Sequence, residues 1–199
     1  MGRVPPQNIA ADDRARSATN RASPLSPDSS YMRDPDTEWE PARHATTHII
    51  AGVVDVYVIR PYRAAWRVLT LQRSYDTRCP GAWESVHGKI EPDETPEGAA
   101  VRELAEETGL QAERLYNVSV QPFYLHAVNT IEMAVVFAAF VREPGTVTTG
   151  AEHQAHEWLP VELARKRFIW PRSRAALEDI VSLLKRGHAG PVEDVLRVL

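Results

Sequence analysis

Three glutamates, Glu103, Glu106 and Glu107, are spaced so that a helix would bring them together as oxygen ligands for a hard cation. At about 100° per residue, all three fall within an arc of about 100°. Carboxylates gathered in this way repel and raise one another's pKa, so the cluster calls for a compensating positive charge. Such donors suit Mg²⁺ or Mn²⁺, which complete their shells with water and substrate phosphates. An ion held there can polarise a phosphoryl oxygen, neutralise a leaving pyrophosphate and lower the pKa of a bound water. A carboxylate not used as a ligand can orient or deprotonate that water. A surface helix with a solvated acidic face would also carry three glutamates, so the neighbouring residues must decide.

Residues 88–110 read GKIEPDETPEGAAVRELAEETGL. Thr95 can cap a helix, and Pro96 suits the first turn because its missing N–H would have no partner there. Gly109 stands where a left-handed stop is expected. Thr95–Gly109 therefore reads as one helix with both ends marked. Val101, Leu104, Ala105 and Thr108 fall opposite the glutamates, which predicts one face packed on a sheet and the other presenting three carboxylates. Glu94 and Arg102 flank the helix start, where a mere surface ion pair would contribute little. Gly88 lacks a Cβ, so its backbone can approach a ligand closely.

The stretch fits G-x5-E-x7-R-E-U-x-E-E-x-G-U, with U a bulky apolar residue, at every fixed position. These are Gly88, Glu94, Arg102, Glu103, Glu106, Glu107 and Gly109, with Leu104 and Leu110 as U. On this motif the chain resembles the Nudix hydrolases, from about Thr46 to Gly187. The resemblance implies an α/β chain with the Nudix fold, an α/β/α sandwich around a mixed β-sheet. It also implies water attack on phosphorus in a nucleoside diphosphate linked to some group X. Glu106 and Glu107 would be the principal metal ligands and the Gly88 carbonyl another. Glu103 would hold a metal-bound water or act as the base, two roles the residues do not separate. Glu94 and Arg102 would brace the loop.

The choice of X lies outside the motif. Trp83-Glu84-Ser85-Val86-His87-Gly88 precedes it, and Glu152-His153-Gln154-Ala155-His156-Glu157-Trp158-Leu159 and Trp170-Pro171-Arg172-Ser173-Arg174 follow. These runs resemble the dihydroneopterin triphosphate and dATP pyrophosphohydrolase subgroup, which implies a nucleoside or pterin triphosphate cleaved to monophosphate and pyrophosphate. The alternatives are ADP-ribose, a nucleotide sugar or a dinucleoside polyphosphate as substrate, or a non-catalytic nucleotide-binding module. Glu152 is read as a fourth metal carboxylate carried on a loop, with a solvated loop charge as the other reading. Arg73 and Arg78 can meet phosphates bidentately or stay solvated. His87 adjoins Gly88 and is a candidate substrate contact. Trp83 and Tyr124 can stack on a base, with core packing the plainer fate. His153 and His156 are read as strand-end residues, and Cys79 as an incidental thiol.

Positioning these groups requires a sheet. His48–Arg60 (HIIAGVVDVYVIR) and Trp66–Gln72 read as a strand hairpin, and Ala82–His87 as a short strand feeding the helix. Leu115–Ala127, Thr130–Val141 and His156–Leu159 read as further strands, Glu143–Gln154 as a polar loop and Ser173–Lys185 as a helix. The domain is expected over 46–187. Residues 1–45, rich in Pro, Ser, Arg and Asp, read as a disordered extension, and 188–199 as a tail with room for a short helix. The net charge of −4 and pI near 6.0 argue against holding nucleic acid through phosphate attraction. One cysteine excludes an internal disulfide framework and suits the cytoplasm. No apolar run approaches the roughly 20 residues of a membrane span, and no signal peptide is read. A small-molecule phosphate substrate is the expected partner, and a homodimer stays open.

Overall fold

The structure is a computed structural model and describes residues 46–142 and 146–199. The expected disordered extension over 1–45 lies outside the described residues, as do 143–145 of the polar loop. Strand β1 spans His48–Tyr62 and turns through Arg63, at φ 56°, into β2, Ala65–Arg73. The β-branched run makes β1 the centre of the sheet. β2 pairs with it only near its end, from Ile59↔Val68 to Tyr62↔Ala65.

The stretch expected as one strand over 82–87 is two. β3, Trp83–Glu84, pairs with β2, and β4, Val86–Lys89, pairs with β1. Ser85 between them carries the chain from one neighbour to the other. β5 (Arg114–Leu125) and β6 (Thr130–Phe140) are antiparallel, and β6 runs parallel to β1. β7 (His153–Pro160) pairs with β2, starting earlier than expected. The seven-stranded sheet is mixed, with order β3-β2-β1-β6-β5 and β4 and β7 attached to β1 and β2.

Helix α1 spans Pro96–Thr108 with the expected ends: Thr95 Oγ1 accepts from the Gly98 N–H, and Gly109 closes the helix at φ 70°. Its orientation differs from the expectation. Val101 and Ala105 are exposed, whereas Ala99, Ala100, Leu104, Glu107 and Thr108 are buried. The helix is rolled so that Glu107 points into the packed side with Leu104. The periodicity of apolar residues alone missed this, because a glutamate occupies the middle of the buried arc.

Ala99, Ala100 and Leu104 of α1 pack against Val54, Val56, Val58, Leu69 and Phe137 on one face of the sheet. On the other face, α2 (Val161–Arg167) and α3 (Pro171–Leu184) bury Ala164, Phe168, Leu177, Ile180 and Leu184 against Tyr57, Ile59, Val68 and Tyr116. This is an α/β/α sandwich. α2 was not expected, because seven residues give too little periodicity to stand out. The last residues form α4, Glu193–Leu196, and run beside β5, with the Val198 N–H donating to the Leu115 carbonyl at 2.8 Å. Among the described residues no helix is long and apolar enough to cross a membrane.

At Gly109 a Cβ would meet only Thr148, at an ordinary 3.7 Å, so the penalty of Gly109→Ala is the left-handed backbone itself. Denaturant unfolding should show a loss of about 1–2 kcal/mol with an unchanged slope. A loss below a few tenths would mean that the turn relaxes.

Candidate active site

Arg102 stands at the centre of the motif over residues 88–110. Nε and Nη2 donate to the two carboxylate oxygens of Glu94, each at 2.9 Å. Nη2 also donates to the Lys89 carbonyl at 2.8 Å, and Nη1 to Glu103 Oε1 at 2.8 Å and Glu106 Oε2 at 3.2 Å. Glu94 further accepts from the Glu91 N–H, which closes the loop before the helix. The expected pairing of Glu94 with Arg102 is present. The engagement of Glu103 and Glu106 by the same guanidinium was not foreseen. These carboxylates push the Arg102 pKa further up, with Glu94 the largest contributor.

Gly88 lies against Glu103. A Cβ there would fall 1.9 Å from Glu103 Cδ, so only glycine lets β4 and the Glu103 side chain approach in this way. Glu107 is 9% exposed, and its Oε2 is buried without a hydrogen-bond partner among the described residues. Burial, with Glu103, Glu84 and Glu152 adding repulsion, pushes its pKa to about 9, against the pull of the His87 backbone N–H. Beneath it, buried His153 lies 3.7 Å from Glu107 through Nδ1 and 3.5 Å from Glu84 through Nε2. Arg73 joins the group from β2, donating to Glu84 at 2.8 Å and standing 3.6 Å from Glu152. Burial raises the Glu84 pKa, but His153 and Arg73 outweigh it and leave the group below its usual value.

Glu84, Glu103, Glu106, Glu107, Glu152, Arg73, Arg102 and His153 thus form one cluster of ionisable side chains between α1 and the end of the sheet. Sequence reasoning missed Glu84 and left His153 as a strand-end residue. The signal for Glu84 was a carboxylate four residues before Gly88, on a strand otherwise destined for the core. Arg73 is tied to two carboxylates and to the Arg78 carbonyl, while the Arg78 side chain is exposed. Trp83 is stacked under Arg167, whose guanidinium carbon is 4.5 Å from the ring centroid. Tyr124 is exposed and donates its hydroxyl hydrogen to Asn129 at 3.0 Å. His156 and Cys79 are exposed.

His87 points to the opposite face of β4 from Gly88. Its Nδ1 lies 2.6 Å from Asp55 Oδ1, and the Arg172 guanidinium donates to Asp55 Oδ2. Burial pushes the Asp55 carboxyl up, yet His87 and Arg172 hold it below its usual value. Burial lowers the His87 pKa, and Asp55 reverses that and raises it. Two shallow concavities, one at the C-terminal segment around Glu193 and Arg197 and one between α2 and α3, lie away from these groups.

Among the described residues, no three His, Cys, Asp or Glu side chains are arranged to hold a metal ion. The guanidinium of Arg102 lies on Glu103 and Glu106. The unpartnered Glu107 Oε2 and the Gly88 approach nevertheless fit a hard cation better than a bare acidic face, because all the available donors are oxygens. The elevated pKa of Glu107 has a consequence for stability in a chelator. The folded chain keeps a proton that the unfolded chain releases near pH 4.5, so this group costs stability as pH climbs from about 5 to about 9. Thermal melts in EDTA should therefore show Glu107→Gln gaining on the wild type across that window. Parallel curves would mean that Glu107 is ionised in the fold.

The NUDIX domain family model matches residues 51–180. The CTP pyrophosphohydrolase of Escherichia coli K12 is 31% identical over 59% of this chain and 84% of its own length. The dihydroneopterin triphosphate diphosphatase of Haemophilus influenzae is 34% identical over 56% of this chain and 69% of its own. The chain spans only 32% of another relative, an octanoyltransferase of Myxococcus xanthus. The solved structure of the E. coli dihydroneopterin triphosphate pyrophosphohydrolase superposes with a TM-score of 0.54 at 24% identity, covering 65% of this chain and 94% of that one, a likeness of fold. With the motif complete, its side chains gathered at one end of the sheet and the family model covering most of the chain, the protein belongs to the Nudix family and is a hydrolase acting on pyrophosphate bonds.

Proposed function

We propose that this Nudix hydrolase cleaves a nucleoside or pterin triphosphate to its monophosphate and pyrophosphate with Mg²⁺ or Mn²⁺. The observation that carries the reading is the buried, unpartnered Oε2 of Glu107 in a cluster of carboxylates. Two of the curated relatives act, by their names, on CTP and on dihydroneopterin triphosphate, which supports a triphosphate substrate. The groups that would hold the metal are Glu106, Glu107, Glu103, the Gly88 carbonyl and Glu152, the last standing exposed beside Arg73. The ion supplies charge neutralisation on phosphoryl oxygens and a more acidic water. Arg102 fixes Glu103 and Glu106 relative to the loop, and Arg73 fixes Glu84 beneath them, with His153 3.5 Å away. Glu103, 13% exposed at its side chain, is placed to accept a proton from attacking water or to orient that water. Water adds to phosphorus, the bridging oxygen leaves with pyrophosphate, and the proton goes to a cluster carboxylate. The exposed Cys79 suits a reducing compartment, and we place the protein in the cytoplasm.

The deciding experiment measures pyrophosphate and phosphate release with Mg²⁺ from nucleoside triphosphates, dihydroneopterin triphosphate, ADP-ribose, nucleotide sugars and diadenosine polyphosphates. Pyrophosphate from a triphosphate is the expected product. Turnover confined to ADP-ribose or dinucleotides would keep the metal chemistry and refute the triphosphate reading. On the best substrate, Glu107→Gln should lower kcat by about 10³-fold with the fold retained. Gly88→Ala must displace Glu103 and should lower it by about 10²-fold. Near-wild-type rates in both variants at saturating Mg²⁺ would remove these residues from the site.

A further inference from the structure

On the face of the sheet that carries α3, a second set of polar side chains lies just across β4 from the carboxylate cluster. Asp55 is satisfied there by His87 and Arg172 together. Arg172 also lies over Phe123, its guanidinium carbon 4.5 Å from the ring centroid, and the His87 ring meets Phe123 edge-on at 6.4 Å. Asp55 thereby fixes a cation and an imidazole against one aromatic ring.

Among the described residues, Glu132 has no such partner. It faces Phe123 across the β5–β6 ladder and lies beside Ile50 of β1. It is only 8% exposed, and its Oε2 is buried without a hydrogen bond. Gly52 of β1 leaves it room, since a Cβ there would stand 3.4 Å from that oxygen. The surroundings are not sealed: Phe123 and His87 are half-buried and Ile50 is 46% exposed. A buried acceptor beside a partly exposed aromatic ring and guanidinium suits a flat heterocycle that stacks and offers N–H donors.

The donor pattern narrows the heterocycle. A carboxylate pairs best with two adjacent donors, a ring N–H and an exocyclic amine. Guanine and pterin carry that 2-amino-4-oxopyrimidine edge. Adenine and cytosine set their amine beside a ring acceptor, and uracil places one N–H between two carbonyls that a carboxylate would repel. We propose that Glu132 is a specificity-determining residue that reads the 2-amino-4-oxopyrimidine edge of the substrate. The assignment rests on the triphosphate reading for the phosphate part of the ligand and adds the identity of its ring.

Calorimetry with α,β-methylene analogues of GTP and ITP in Mg²⁺ tests it without turnover, because the two differ only in the 2-amino group. The wild type should bind the guanosine analogue about 10- to 100-fold more tightly than the inosine analogue. Glu132→Gln, with an unchanged melting temperature, should bring that ratio close to one. A wild-type ratio near one, or a ratio kept by Glu132→Gln, would overturn the assignment, and the first of these needs no variant. A large guanosine preference with no turnover of any triphosphate would instead refute the triphosphate reading and leave Glu132 standing. Comparing kcat/KM for GTP and dihydroneopterin triphosphate then decides which bearer of the edge is used.

Discussion

The guanidinium of Arg102 ties together parts of the chain that would otherwise separate. One planar fork reaches the carboxylate of Glu94, the carbonyl of Lys89 and two helix carboxylates, Glu103 and Glu106. The end of β4, the loop after it and the second half of α1 thus share one cation. A lysine could not do this, because an ammonium is a point charge without the fixed, bidentate geometry of the fork. With a side chain 24% exposed, Arg102 keeps enough contact with water that its stabilising effect is modest. Its importance is geometric, since it sets where two acidic side chains stand relative to Gly88.

That clamp makes a costly arrangement tolerable. Glu107 is turned into the packed side of α1, against Ala100 and Leu104, close to Glu84, Glu103 and Glu152. Apolar burial on both sides of it holds the helix down while the carboxyl finds only a backbone N–H and a buried histidine nearby. The fold therefore stores an unsatisfied acidic group at one defined place, and the neutral form is what the folded chain prefers when nothing positive is there. A protein that needed only a solvated acidic face would have rolled the helix by about one residue, a rotation of about 100°, and buried Val101 or Ala105 instead.

Much of this was legible in the chain because α1 is local: its cap, its stop and the Glu94–Arg102 pair lie within one short segment and follow from turn chemistry and helix spacing. The sandwich was legible from the β-branched runs of β1 and β6. The roll of α1 was not, because an apolar-period argument puts glutamates outside and has no means of knowing that a buried carboxyl is wanted. The split of the 82–87 stretch into β3 and β4 was hidden for a similar reason. Strand propensity does not say which neighbour a strand will pair with, and Ser85 sits where the pairing changes from β2 to β1. Asp55 and Glu132 left a faint trace, each a single acidic residue inside a run of buried β-branched and apolar positions. An acidic residue in such a run needs either a partner or a ligand, and only the three-dimensional arrangement separates the two cases. Asp55 has partners in His87 and Arg172, and among the described residues Glu132 has none at Oε2.

The short strand β4 shows how these two cases meet in one molecule. Successive residues of a strand face opposite sides of a sheet. Gly88 and Val86 face α1, where Gly88 makes room for Glu103, and His87 faces the α3 side, where it pairs with Asp55 across the β1 ladder. The His87 backbone N–H meanwhile bears on Glu107. One residue therefore links the acidic cluster, through its main chain, to the aromatic and guanidinium surface, through its side chain. A substrate whose phosphates lie at the cluster and whose ring lies over Phe123 would have to span this strand, which is only one residue wide between the two sets of groups. The alternation of a β-strand, rather than a long loop, would then set the distance between the reacting phosphate and the ring that identifies it. That makes Gly88 and His87 a coupled pair, since a shift of β4 to accommodate a side chain at position 88 would move the His87–Asp55–Arg172 contacts on the other face as well.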